Sequence, residues 1–141
     1  MKQVTVISTI LALVAICALP SISKMIMCSM AHPCPNGDMI IGDQVVLRIH
    51  SAAGGMSVQQ RLGEVTTRLN KRLGSKEFDP QYITVRKAGC EYAVMHKESL
   101  IVTADTEAAA FNKTTCEKLA NVWAANLRRV IPLAKAKTDG P

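Results

Sequence analysis

Several features that mark common functional classes are missing from this 141-residue sequence. It contains no internal repeat, no low-complexity tract and no block of consecutive lysines and arginines. The formal net charge of +6 is spread along the chain instead. Nucleic-acid binding through a basic block is therefore excluded, whereas contact with anionic head groups or with an acidic partner stays open.

The sequence also lacks the motifs of nucleophilic and nucleotide-dependent catalysis. No G-x-S-x-G motif is present. The stretch SAAGG has neither the Walker lysine nor the G-x-G-x-x-G spacing, so it indicates a turn. Asp105 and Glu107 lie at the start of a predicted helix, which favours capping over acid–base chemistry. We therefore predict that the protein is not an enzyme and uses no cofactor.

The apolar run near the N-terminus is too short for a typical membrane span. Val4 to Leu19 covers 16 residues, whereas a spanning helix needs about 20. Lys2 before the run and two small residues after it, Ser21 and Ser23, are typical of a signal peptide over residues 1–23. An uncleaved N-terminal anchor stays an alternative, as does cleavage after residue 31. The prediction is a periplasmic or secreted protein.

Three further segments follow the predicted signal peptide. Residues 24–43 contain two prolines and two glycines that break regular structure, and we predict a loop-rich leader there. A single domain is predicted over residues 44–137, and a short polar tail over residues 138–141.

Hydrophobic periodicity gives the elements of the domain. Alternating apolar residues predict strands at 44–50, 83–86, 91–97 and 100–103. Apolar residues at helical spacing predict a helix from Ser57 to about Leu73, with Gly74 as its C-cap, and a long helix opened by a Thr114–Glu117 capping box. Pro132 is expected to end or kink the long helix. A short helix is predicted ahead of it, capped by Thr103 or Asp105.

This order of elements, β-α-β-β-β-α, predicts an α+β domain. Two amphipathic helices on one face of a small mixed or antiparallel sheet would bury both apolar stripes. About 95 residues suffice for such a domain to fold alone, burying roughly 60–65% of its unfolded surface.

Two stretches, VLRIHSAAGGMSVQQRLGEVTTRLNKRL and LIVTADTEAAAFNKTTCEKLANVWAANLRRVI, resemble a domain of known channel proteins. They are similar to the small extracytoplasmic domain that precedes the membrane helices in some bacterial channels of the small-conductance mechanosensitive class. The shared pattern is a strand, a glycine turn, a helix rich in Arg and Glu, and then LA-x-x-W-x-x-x-L in the last helix. No pore helices follow the pattern in this sequence. The resemblance implies a soluble exported module that senses or binds something beside a membrane, without channel activity.

The cysteines that remain after signal removal are even in number. Cys28, Cys34, Cys90 and Cys116 allow three pairings in an oxidising compartment. We favour Cys28–Cys34 as a local bond and Cys90–Cys116 as a bond between the central hairpin and the last helix. Buried free thiols are the alternative for the second pair.

One short tract concentrates side chains that bind soft metals. Thioether, thiolate and imidazole groups together suit Cu(I), and they are supplied by Met25, Met27, Cys28, Met30, His32 and Cys34. The spacing matches no common zinc pattern and no haem motif. We prefer the interpretation of signal exit plus local disulfide and predict no metal site. An exported copper- or redox-handling protein is the alternative function.

A basic stripe on the first helix is the predicted docking surface. Arg61, Arg68 and Arg72 are spaced by 7 and 4 residues, which gives either a solvated face or a surface for an acidic partner or head groups. His50 and His96 are expected to be surface or capping residues at strand ends. The predicted function is an exported, non-enzymatic interaction or sensing module of the cell envelope. Its partner would be an envelope protein or an anionic surface, with peripheral membrane contact.

Overall fold

The computed structural model describes residues 30–138, so the predicted signal peptide, its cleavage after Ser23 and the last three residues of the predicted tail lie outside the described residues. The elements in chain order are β1 (Ala31–Pro33), β2 (Asp38–Ile41), β3 (Gln44–Arg48), α1 (Val58–Leu73), a 3-10 turn (Pro80–Tyr82), β4 (Ile83–Ala88), β5 (Glu91–His96), β6 (Ser99–Ala104), α2 (Thr106–Phe111) and α3 (Cys116–Thr138).

Helix α1 begins and ends as its sequence predicts. The Ser57 hydroxyl accepts a hydrogen bond from the Gln60 backbone N–H, and the Gln60 side chain accepts one from the Ser57 N–H, which completes the capping box. Gly74 ends the helix by donating its N–H to the Asn70 carbonyl at 3.0 Å. Its φ of −73° is right-handed, so the freedom of glycine to adopt positive φ is not used here. The predicted apolar stripe supplies the buried residues Leu62, Val65 and Leu69.

Strands β4, β5 and β6 lie close to three of the predicted strands, and they form an antiparallel meander. The β5–β6 hairpin pairs His96 with Ser99, so Lys97 and Glu98 form its two-residue turn. Lys97 adopts a φ of +54° there, the left-handed conformation that tight hairpin turns demand.

A second antiparallel sheet lies in the segment predicted as a loop-rich leader. Strand β1 pairs with β2, and β2 pairs with β3, which corrects the prediction for residues 31–41. Met39 and Ile41 are completely buried, so this sheet contributes to the core. Strands of three and four residues are too short for alternation to stand out. Gly37 and Gly42, which suggested a loop, have φ of +99° and +65° and form the turns between the strands.

Helix α3 differs from its prediction at both ends. Its first turn is capped by Thr115, whose hydroxyl accepts from the Lys118 N–H at 3.2 Å, so the predicted Thr114–Glu117 capping box is wrong by one residue. The helix also continues through Pro132 to Thr138. Pro132 faces solvent, while Ile131 and Ala134 are buried beside it. Burial of these neighbours holds the last turns in place despite the missing backbone donor.

The α+β class is confirmed, but the expected single sheet is replaced by two three-stranded sheets, β1–β2–β3 and β4–β5–β6. Each long helix packs on both of them: α1 contacts β1 and β6, and α3 contacts β2 and β3 as well as β4, β5 and β6. One continuous core results, in which Trp123 is 2% exposed. Within residues 30–138, no helix is long and apolar enough to span a membrane.

The outer edge of β3 is covered by two side-chain amides. Asn126 of α3 donates from Nδ2 to the Val46 carbonyl at 3.3 Å. Asn112, at the end of α2, donates from Nδ2 to the Arg48 carbonyl at 3.4 Å. Two carbonyls of an outer strand thus find partners without a further strand.

Candidate functional site

Arg61 does not face solvent, which corrects its place in the predicted basic stripe. Its side chain is 7% exposed; it donates from Nη1 to the Ser51 carbonyl at 2.7 Å and from Nη2 to the Asp105 carboxylate. Position 61 precedes the buried Val65 by one helical turn, so the two side chains share a face. The spacing of the arginines alone did not show that the first turn of α1 packs against the core at Arg61.

Asp105 has the capping role expected for it. It is 3% exposed, and its Oδ1 atom accepts from the Ala108 N–H at 2.8 Å at the start of α2. Its Oδ2 atom accepts from Arg61, so the buried ion pair joins α1 to the start of α2. The local sequence identified the cap, but the ion-pair partner is 44 residues away and gave no local signal.

The other two arginines of the stripe have separate surroundings. Arg68 is partly exposed and forms an ion pair with Glu64, one turn before it, at 3.1 Å. Arg72 reaches from the last turn of α1 to the Ser99 hydroxyl on β6. The three arginines therefore do not form one docking surface: Arg61 and Arg68 line one cleft, and Arg72 lines another.

The cleft that holds Arg61 and Arg68, here called the α1 cleft, has a volume of about 180 Å³. It lies between α1, β6 and the turn that follows β3, and its walls are formed by Ile49, Ala53, Gly54, Met56, Arg61, Glu64, Val65, Arg68, Glu91, Val102, Thr103 and Asp105. Ile49, Val65 and Val102 are core residues, so part of the cleft wall is apolar. Charged groups of both signs lie around them.

The turn beside the α1 cleft is the one predicted from SAAGG. Ala53 and Met56 pair as an antiparallel bridge, with backbone hydrogen bonds of 3.2 and 3.0 Å in the two directions. Gly54 and Gly55 have φ of +59° and +75°, which residues with a Cβ rarely adopt. The two glycines thus place Met56, 37% exposed, at the mouth of the cleft.

Cys90 and Cys116 are free thiols, so the structure does not contain the expected bond between them. Cys90 lies in the β4–β5 turn and Cys116 at the start of α3, and both line one open cavity of about 490 Å³. Burial raises the pKa of the Cys116 thiol. The proposed partner of Cys34, Cys28, lies outside the described residues, and that pairing stays a prediction.

The predicted soft-metal tract is only partly described. Met30 is 38% exposed, His32 lies in β1 and Cys34 follows that strand directly. Among residues 30–138, no three His, Cys, Asp or Glu side chains are grouped as metal ligands would be. Met25, Met27 and Cys28 fall outside this range, and the copper alternative stays a prediction.

The two strand-end histidines differ from each other. His50 is half-buried; its Nε2 atom lies 2.9 Å from Asp38 Oδ1, and its ring stacks on Phe111 at 4.6 Å. His96 is 4% exposed, which corrects the expectation of a surface residue. It stacks on Phe78 at 4.3 Å between ring centroids. Its position next to a charged hairpin turn suggested exposure, but the ring points back under the segment before β4.

Comparison with known proteins places the chain in one family. The domain of unknown function DUF8459 matches residues 38–134, more than two thirds of the chain, and the chain belongs to this family. The match begins at β2 and ends inside α3, so it covers every strand of the two sheets except β1. No curated protein and no solved structure matches the sequence. The family carries no assigned activity, and the resemblance to a channel domain stays a proposal.

Proposed function

We propose that this chain is a non-catalytic binding module of the cell envelope, which receives a side chain of a protein partner in the α1 cleft. The observation that carries the proposal is the make-up of the cleft: an apolar wall from core residues beneath a charged rim. An apolar centre with a polar rim is the usual anatomy of a protein–protein contact. A volume of about 180 Å³ suits one inserted side chain rather than a whole cofactor.

The charged groups of the cleft support binding rather than turnover. Asp105 is held by Arg61 and by the Ala108 N–H, which occupies both of its oxygens. Arg61 in turn makes one further bond, to the Ser51 carbonyl. These buried groups keep each other in fixed positions, as the wall of a binding site requires. On the rim, Arg68 is paired with the exposed Glu64, so a partner carboxylate can compete for it.

Export to the envelope rests on the N-terminal sequence. A basic residue, an apolar run of 16 residues and a small-residue exit precede the domain. The proposed location, periplasmic or secreted, follows from this pattern alone. Intact-mass measurement of the protein recovered from its own host tests it: a start at Lys24 supports cleavage after Ser23, and an intact Met1 contradicts it.

A photo-cross-linking experiment tests the binding site. A photoreactive residue replaces Met56 at the mouth of the cleft, and in a matched control it replaces Val122, which is 54% exposed on α3. Irradiation in the native host should give a discrete protein adduct from position 56 and none from position 122. Thr103→Arg, which fills the cleft, should remove the adduct. Equal labelling from both positions, or an adduct that survives Thr103→Arg, contradicts the proposal.

A further inference from the structure

A separate cavity of about 230 Å³ lies where the β5–β6 hairpin meets the end of α1. It shares no lining residue with the α1 cleft, and the function proposed above does not use it. We call it the His96 cavity, and its walls are Arg72, Ser75, Glu77, Phe78, His96, Lys97, Glu98 and Ser99.

The orientation of the His96 ring fixes where its proton lies. Its Nε2 atom is 3.2 Å from the Asp79 carbonyl oxygen, and a carbonyl can only accept, so Nε2 carries the hydrogen. In the neutral ring, Nδ1 is then a lone-pair acceptor. Nδ1 is buried and has no hydrogen-bond partner among residues 30–138. Buried polar atoms are nearly always hydrogen-bonded in folded proteins, so this atom indicates a site for a donor.

Two cationic side chains, Arg72 and Lys97, line the same cavity as His96. Arg72 approaches from α1 and holds the Ser99 hydroxyl. Lys97 stands in the hairpin turn, with its Nζ atom 5.1 Å from the Tyr82 ring centroid. Both cations lower the pKa of His96, after burial as the main cause.

Three acidic residues lie near the ring, and they oppose an anion there to different degrees. Glu98 lines the cavity, but its carboxylate accepts two hydrogen bonds from Arg86, at 3.1 and 3.2 Å. Glu77 lines the cavity and opposes an anion there. Asp79 raises the pKa of His96, but less than burial lowers it. Lys135, which is not part of the cavity wall, lies with its Nζ atom 5.5 Å from the Phe78 ring centroid.

We propose that the His96 cavity binds a phosphate group that carries a proton, whose O–H donates to His96 Nδ1 while its charged oxygens accept from Arg72 and Lys97. The lone pair of His96 Nδ1 needs a hydrogen-bond donor, and the cationic groups of Arg72 and Lys97 need acceptors. An anion that carries a proton offers both. Inorganic phosphate and the singly charged form of a phosphomonoester have this chemistry. Sulfate has the same shape but carries no proton at neutral pH, so it leaves Nδ1 facing a bare oxygen.

Calorimetric titration of the purified full-length protein tests the proposal. Inorganic phosphate should bind at least about tenfold more tightly than sulfate, since a site built for a hydrogen bond rejects an analogue without it. Glycerol phosphate should bind at about pH 5.5 and weaken at least about tenfold by about pH 8, because its last proton leaves near pH 6. Equal binding of phosphate and sulfate overturns the proposal, as does no binding of phosphate.

Variants assign the binding to the cavity, and lipid vesicles identify its source. Arg72→Gln and His96→Gln should each weaken phosphate binding at least about tenfold, whereas Arg68→Gln, one turn earlier on α1, should not. An equal loss in Arg68→Gln contradicts the assignment. If His96→Gln fails to fold, the imidazole nitrogen NMR shifts of the wild type replace it: phosphate must move the Nδ1 resonance.

Binding to phosphatidic acid vesicles, but not to phosphatidylcholine vesicles, identifies a lipid head group; phosphate binding without vesicle binding identifies a soluble phosphate.

Discussion

At the residue scale, the buried pair of Arg61 and Asp105 is the most consequential contact for stability. Arg61→Ala leaves the Asp105 carboxylate buried with one partner, which should lower the free energy of unfolding by about 3–5 kcal/mol. Arg68→Ala, which removes only the exposed pair with Glu64, should cost less than about 1 kcal/mol. Urea unfolding of both variants measures the difference. Equal losses would show that the Arg61 pair is no better shielded from water than the surface pair.

The histidine inside the hairpin makes stability depend on pH. Burial lowers the pKa of His96, and Lys97 and Arg72 lower it further. Folding therefore favours the neutral ring: its contribution is complete above the unfolded pKa of about 6.5 and is lost as the pH falls below that value. The urea midpoint should drop between about pH 7.5 and about pH 5. His96→Gln should reduce that drop; an unchanged drop in His96→Gln contradicts the argument.

Residue-level prediction from the sequence succeeded where the cause is local. The capping roles of Ser57 and Asp105 depend on neighbours within three residues, and both are confirmed. The burial of Arg61 and His96 was missed, because each depends on residues distant in sequence, Asp105 for the first and Phe78 for the second. Charge and spacing on a helix show which residues share a face, but they do not show what covers that face.

At the scale of elements, the continuation of α3 through Pro132 gives a direct test. A proline in a helix interior costs about 3 kcal/mol relative to alanine. Pro132 is exposed, so Pro132→Ala restores a backbone donor without loss of a buried contact. We expect the free energy of unfolding to rise by roughly 1–3 kcal/mol. Leu133→Ala, at a position 55% exposed, is the matched control and should change stability by less than about 0.5 kcal/mol. A loss of stability in Pro132→Ala would contradict this account of the helix.

The elements themselves were predictable to different degrees. Helix α1 and strands β4 to β6 have long, regular patterns, and the structure bears them out within a few residues. Strands β1 and β2 were missed because three or four residues give no periodic signal and glycines surround them. The number of sheets was missed for a different reason. Periodicity in the sequence indicates the strands but not which of them pair, since pairing depends on contacts across the whole fold.

At the scale of the whole molecule, Cys90 and Cys116 lie in one cavity and are separated by about 25 residues in the chain. A disulfide oxidant added to the purified protein can take two electrons and two protons from them and join their sulfurs. That bond should stabilise the fold by roughly 3 kcal/mol through the shortened unfolded chain. Mass after alkylation, with and without reductant, detects it. Two alkylated thiols after treatment with this oxidant would contradict the prediction, and Cys90→Ser should remove any effect of reductant on the urea midpoint.

The two amides that cover β3 have a consequence for how copies of the chain behave together. An outer strand with free carbonyls is a template on which another molecule can add a strand, and the side chains of Asn112 and Asn126 occupy that edge. Replacing both with alanine should leave the monomer folded but make it self-associate, which light scattering at rising concentration would detect. If that variant stays monomeric, some other feature prevents a second molecule from pairing with the edge of β3. If it self-associates, Asn112 and Asn126 matter less for the fold than for the solubility of the protein at high local concentration.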